Sequence, residues 1–82
     1  MGLSGIVYAL REATTELAID GWTRLTDAEA FVVERYPDQT PDQYGCRSWK
    51  QVLHESRIFE LQYRENSGAS RSAWFREREF HV

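Results

Sequence analysis

The sequence predicts an α+β fold of the winged helix-turn-helix type, with three helices followed by a C-terminal two-stranded wing. Three observations carry this expectation. Apolar residues recur at helical spacing in three separate segments before residue 56. Two later segments, 57–63 and 73–80, alternate in the manner of strands. Asp20-Gly21, Tyr36-Pro37 and Asn66-Ser67-Gly68-Ala69-Ser70 punctuate the chain between these segments.

The first helix is expected over 3–18, where Leu3, Ile6, Leu10, Ala13 and Leu17 form one stripe with Val7 and Thr14 beside it. Arg11, Glu12 and Glu16 fall on the outer side. Asp20-Gly21 is expected to stop this helix, because glycine accepts the left-handed conformation past a helix end. Gly21-Trp22-Thr23-Arg24-Leu25 alternates too briefly for more than a short edge strand.

Thr26-Asp27-Ala28-Glu29 reads as a capping box, which places the second helix at about Asp27 to Tyr36, ended by Pro37. Its expected inner face is Ala28, Phe31, Val32 and Tyr36. Thr40-Pro41-Asp42-Gln43 is a second start signal, with a turn expected at 41–45 and regular helix from about 46 to 55. In this third helix Trp49, Val52 and Leu53 make an apolar stripe, and Arg47, Lys50, Gln51 and His54 face the other way. Phe59 and Leu61 are the expected inner pair of the first wing strand.

Eighty-two residues make a single domain, 1–82, with a compact core. An aromatic content of 13%, including three Trp, supplies large buried side chains from few positions. No segment has the ~18 apolar residues of a membrane span, and the N-terminal residues do not have the pattern of a signal peptide. The lone Cys46 cannot staple the fold; it fits a reducing, cytoplasmic setting as a small apolar residue at the head of the third helix.

The net charge of −3 opposes strong non-specific nucleic-acid binding. Its distribution is uneven. Residues 1–42 hold three basic groups against eight acidic ones, or −5, and residues 43–82 hold seven against five, or +2. Six of those seven are Arg, which suits phosphates and base planes better than Lys.

Four pieces of the chain, Gly21-Trp22-x-x-Leu25, Tyr36-Pro37, Tyr44-Gly45-x-x-x-Trp49-x-x-Val52-Leu53 and Phe59-Glu60-Leu61, resemble the LOTUS domain, also called OST-HTH. The likeness covers residues 21–61, and the first helix and the hairpin agree with it in order and length. It implies a small winged-helix domain that binds RNA, with a preference for G-rich and quadruplex-forming RNA. It also implies an NYN-type ribonuclease domain in the same full-length protein, for which this domain is the targeting module. An extended animal subtype binds a DEAD-box helicase through an added C-terminal helix; Val82 follows directly on the second wing strand, so that partner is not implied. The sequence departs from the family pattern at Glu29, where Gly is common, at Asp42 and Gln43, where a basic residue is common, and at Ser48, where Lys is common.

Within the resemblance, the expected RNA-binding face is Tyr44, Arg47, Lys50, Gln51 and His54 from the third helix and its leading turn, joined by Arg64 and Arg71 from the wing. Each has a plainer reading. Arg47, Lys50 and His54 also fit a solvated helix face. Tyr44 also fits packing, and Arg64, Arg71, Arg76 and Arg78 also fit ordinary wing-surface charge. Trp22 and Trp49 are expected in the core and Trp74 in the packing of the wing.

No catalytic constellation is present. His54, His81 and one Cys lack zinc-ligand spacing, and Asp38 and Asp42 lack the pattern of a calcium loop. The expectation is a monomeric binding module without cofactor, metal, membrane contact or enzymatic activity. A protein–protein interaction module, favoured by the sequence pI of 5.3, and a winged-helix DNA-binding domain are the alternatives.

Overall fold

A computed structural model of the chain describes residues 3–65 and 71–78. The elements run α1 (Ser4–Leu17), β1 (Thr23–Arg24), α2 (Leu25–Arg35), a 3-10 turn (Pro41–Tyr44), α3 (Trp49–Ser56), β2 (Phe59–Glu65) and β3 (Arg71–Glu77). Three helices and a C-terminal hairpin stand as the winged-helix pattern requires. The expected loop at 66–70 lies outside the described residues.

The expected short edge strand joins the two wing strands in one three-stranded sheet. The short segment at 23–24 pairs antiparallel with β3, in the order β1-β3-β2, matching Thr23 with Phe75 and Arg24 with Trp74. The β2–β3 register runs from Phe59 opposite Glu77 to Glu65 opposite Arg71. Side chains alternate across a strand, so the register sorts the sheet into two faces. Thr23, Phe59, Leu61, Tyr63, Ala73 and Phe75 look toward the helices. Arg24, Glu60, Gln62, Arg64, Trp74 and Arg76 look away.

The core joins this inner face to the helices. Ile6, Ala9, Leu10 and Ala13 of α1 meet Leu25, Ala28 and Val32 of α2, Val52 and Leu53 of α3, and Phe59 and Phe75 of the sheet. Phe59 and Phe75 pack edge to face with ring centroids 5.4 Å apart, a favoured aromatic geometry. Ala9 extends the expected α1 stripe, and Leu3 and Leu17 pack only at its margin. Across the α1–α2 seam the Tyr36 hydroxyl donates to Glu12, and Arg35 pairs with the same carboxylate at 2.8 Å.

Several local expectations are corrected. The capping box at 26–29 does not form: α2 starts at Leu25, capped by the extended backbone of Arg24 without a side-chain bond. The β1–β3 pairing holds Thr23-Arg24 extended, and the helix begins directly after it. Asp20-Gly21 is not the cap of α1, which ends at Leu17 with Ala18 as its C-cap. Both residues have positive φ, 53° and 84°, and Ile19 and Trp22 exchange backbone hydrogen bonds across them. This is a tight two-residue hairpin turn of the Asp-Gly kind, and it aims the chain into β1. Helix α3 starts three residues later than expected. Gly45 takes a left-handed φ of 74° to close the 3-10 turn, and Ser48 is extended.

Candidate nucleic-acid interface

Helix α3 begins with a capping box that the sequence spells as Ser48-Trp49-Lys50-Gln51. Ser48 Oγ accepts from the Gln51 backbone N–H at 3.2 Å, and Gln51 Oε1 accepts from the Arg47 backbone N–H at 2.7 Å. Ser48 thereby satisfies one of the free N–H groups at the helix start, and Gln51 reaches one residue beyond the usual box partner to tie the preceding backbone down. Gln51 therefore has its carbonyl oxygen engaged in holding the helix start. The S-x-x-Q pattern was legible, but the expected start at 46 hid it.

Past this cap, Val52 and Leu53 are fully buried and Lys50, His54 and Glu55 are exposed. The stripe inferred for α3 holds, with Trp49 half-buried at its first position. Lys50, His54 and Arg57 follow one another at i, i+4 and i+7, which puts them along one ridge. Arg57, expected at the start of the strand, instead closes α3 in a left-handed conformation with φ of 62°, and β2 begins at Phe59.

β2 runs beside α3. The Lys50 ammonium lies 4.8 Å from the Tyr63 ring centroid, and the Arg71 guanidinium lies 5.0 Å from the same ring. Tyr63 is 48% exposed. It is thus an open aromatic with a cation from α3 and a cation from β3 against it. The sequence reading included Tyr63 in the strand at 57–63 but assigned only Phe59 and Leu61 to its inner face, so Tyr63 was not placed in the site. At the other end of β2, His54, Arg57 and Arg78 surround a cleft of about 270 Å³ floored by Leu53, Phe59 and Leu61. Cationic groups therefore flank the α3–β2 groove at both ends.

Two expected site residues stand elsewhere. The Tyr44 hydroxyl donates to Gln39, and it sits against Gly5 of α1, where an added Cβ would come within 2.7 Å of that oxygen. Tyr44 thus packs the 3-10 turn onto α1. Arg64 lies on the outer face of the sheet, its guanidinium 4.4 Å from the Trp74 ring centroid and 5.8 Å from that of Trp22. The alternation of β2 separates it from its neighbour Tyr63. The structure therefore brings together Lys50 and Arg71, with Arg47 nearby on the rim shared by Ser48, Trp49 and Lys50, and sets Arg64 apart.

Glu29 of α2 tempers the charge at this rim. Burial pushes its carboxyl up from the ordinary value, and the nearby Lys50 partly offsets the shift. Among the described residues no group of three or more His, Cys, Asp or Glu is arranged to hold a metal ion. No helix among them is long and apolar enough to cross a membrane.

Three helices, a hairpin wing and an exposed third helix define a winged helix-turn-helix domain. The OST-HTH/LOTUS domain profile matches residues 4–70, and the chain belongs to that family. OST-HTH/LOTUS domains are RNA-binding modules. A solution NMR structure of an uncharacterized protein from Nitrosomonas europaea has a similar fold, with a TM-score of 0.70 and 18% identity over 100% of this chain and 77% of that one. No curated protein matches the chain.

Proposed function

We propose that residues 1–82 form one monomeric RNA-binding module that engages G-rich or quadruplex-forming RNA along the α3–β2 groove, without chemistry of its own. In this reading it is cytoplasmic and targets an associated NYN-type ribonuclease domain. The carrying observation is the Lys50–Tyr63–Arg71 cluster, an exposed aromatic with two cations against it. A base can stack on the ring while the two cations meet flanking phosphates; aromatic–base stacking contributes about 1–3 kcal/mol per base. Arg47 and Arg57 extend the cationic track along the helix, with the exposed His54 between them.

The test is a titration of labelled G-rich RNA across a salt series. Each phosphate neutralised on a single strand adds about 0.7 to the slope of log K against log salt. Lys50→Gln with Arg71→Gln removes two such contacts and is expected to lower that slope by about 1.4 and to weaken binding. Neutralisation is preferable to charge reversal at 50, because a new carboxylate there would sit beside the partly buried Glu29. RNA binding with an unchanged slope in this variant would refute the groove as the reader. Equal affinity for an acidic peptide would favour the interaction-module reading, and tighter binding of duplex DNA would favour the DNA-binding one.

A further inference from the structure

The outer face of the sheet carries a second layer of alternating cations and indoles, away from α3. Arg24 of β1 lies over Trp74 at 5.1 Å, Arg64 of β2 lies over both Trp74 at 4.4 Å and Trp22 at 5.8 Å, and Arg76 of β3 lies over Trp22 at 4.5 Å. Three guanidinium groups from three strands are thereby interleaved with two indoles. Read from the sequence, these residues have separate places: Trp22 in the core, Arg64 on the expected RNA-binding face, Arg76 among wing-surface charges and Arg24 in a short edge strand. The pairing of β1 with β3 is what assembles them.

Ordinary surface decoration explains this layer poorly. Glu60 is the acid in it, and it pairs with Arg76. Arg24 and Arg64 have no ion pair among the described residues, and Arg64 Nε donates only to Gln62 Oε1 at 3.2 Å. Trp74 is 7% exposed, and its indole N–H is buried without a hydrogen-bond partner among the described residues. A buried donor without an acceptor is costly. Two arginines without acidic partners among the described residues cover this indole and leave their own charge open to an incoming anion.

We infer that this Arg24–Trp74–Arg64–Trp22–Arg76 layer is a second nucleic-acid contact surface, on which a single strand of RNA lays its phosphates against the guanidinium edges and its bases against the open planes. The inference rests on the RNA-binding reading but not on the α3–β2 groove. A guanidinium stacked on an indole keeps its N–H edges free for phosphate, and its outer plane can take a base. An acidic polypeptide would satisfy the charge but would leave the planar faces without stacking partners.

The three tryptophans separate the two surfaces in one measurement, since Trp22 and Trp74 lie in the layer and Trp49 lies at the start of α3. Indole N–H signals of the full chain, assigned by single Trp→Phe variants, are followed by NMR during titration with a G-rich RNA strand. The expected result is movement of the Trp22 and Trp74 signals. Arg24→Gln with Arg64→Gln should abolish that movement and lower the salt slope by about 1.4. Circular dichroism of the variant confirms that the fold persists, as Arg24 is exposed and Arg64 half-buried on the outer face of the sheet. RNA binding that moves Trp49 alone, with the Arg24/Arg64 variant binding as the parent does, overturns the second surface and leaves the groove reading intact. Movement of Trp22 and Trp74 alone supports the second surface and overturns the groove. Absence of RNA binding overturns both. The same shifts produced equally by poly-glutamate would show a site for acidic polypeptide and overturn the assignment to nucleic acid.

Discussion

Replacing Gln51 by Ala tests whether this side chain serves the helix or the ligand. Helix α3 has eight residues, a length of about 12 Å, and isolated helices shorter than about 12 residues are marginal in water. Its start therefore depends on packing and on its cap. Gln51→Ala deletes the bond from Gln51 Oε1 to the Arg47 N–H, a loss of about 0.5–1.5 kcal/mol. Ser48→Ala deletes the opposite half of the box and costs about 1 kcal/mol. A domain of 82 residues has a total stability of roughly 4–12 kcal/mol, so each change removes a noticeable fraction. At this size 1 kcal/mol lowers Tm by about 4–8 °C. Thermal melts followed by circular dichroism, with urea midpoints at constant m-value, measure the effect. Gln51→Ala should lower Tm by several degrees and leave the RNA affinity of the folded molecule unchanged. An unchanged Tm with weakened RNA binding would refute the reasoning and return Gln51 to the recognition face.

Two further changes should raise stability. Thr23 is fully buried on the inner face of the sheet, and its hydroxyl has no hydrogen-bond partner among the described residues; Thr23→Val keeps the shape, removes that cost of about 1–3 kcal/mol and should raise the urea midpoint. Glu29→Gln should stabilise the domain at neutral pH and not in acid, because a carboxyl raised in the folded state contributes stability below its ordinary value of 4.5 and loses it as pH rises through the folded value; melts on either side of that window check the sign, and an equal gain in acid would contradict it.

The sequence showed the helices more clearly than their ends. The apolar stripes of α1 and α3 were readable because burial follows the 3.6-residue period, as Ile6, Leu10 and Ala13 and again Val52 and Leu53 show. The competing box at Thr26-Glu29 was chemically sound, but the long-range pairing of Thr23-Arg24 with β3 set where α2 begins. The site was legible in part for the same reason. Lys50 and Arg71 could be placed near one another from element order alone. That Arg64 and Tyr63 point to opposite faces depends on register, which a one-residue shift reverses. Trp22 was assigned to the core by its apolar character, and only the three-stranded sheet shows it among arginines instead.

The pairing of Thr23 with Phe75 also orders events during synthesis. β2 and β3 are neighbours in the chain, and hairpins of this kind form in microseconds. β1 must wait for a partner some fifty residues downstream. Phe75 is completely enclosed between the helices and Phe59, so a nascent chain lacking β3 has a hole at the centre of its core. At about 5–20 residues per second, the helices spend seconds outside the ribosome before that side chain arrives. Commitment to the native state thus waits for β3.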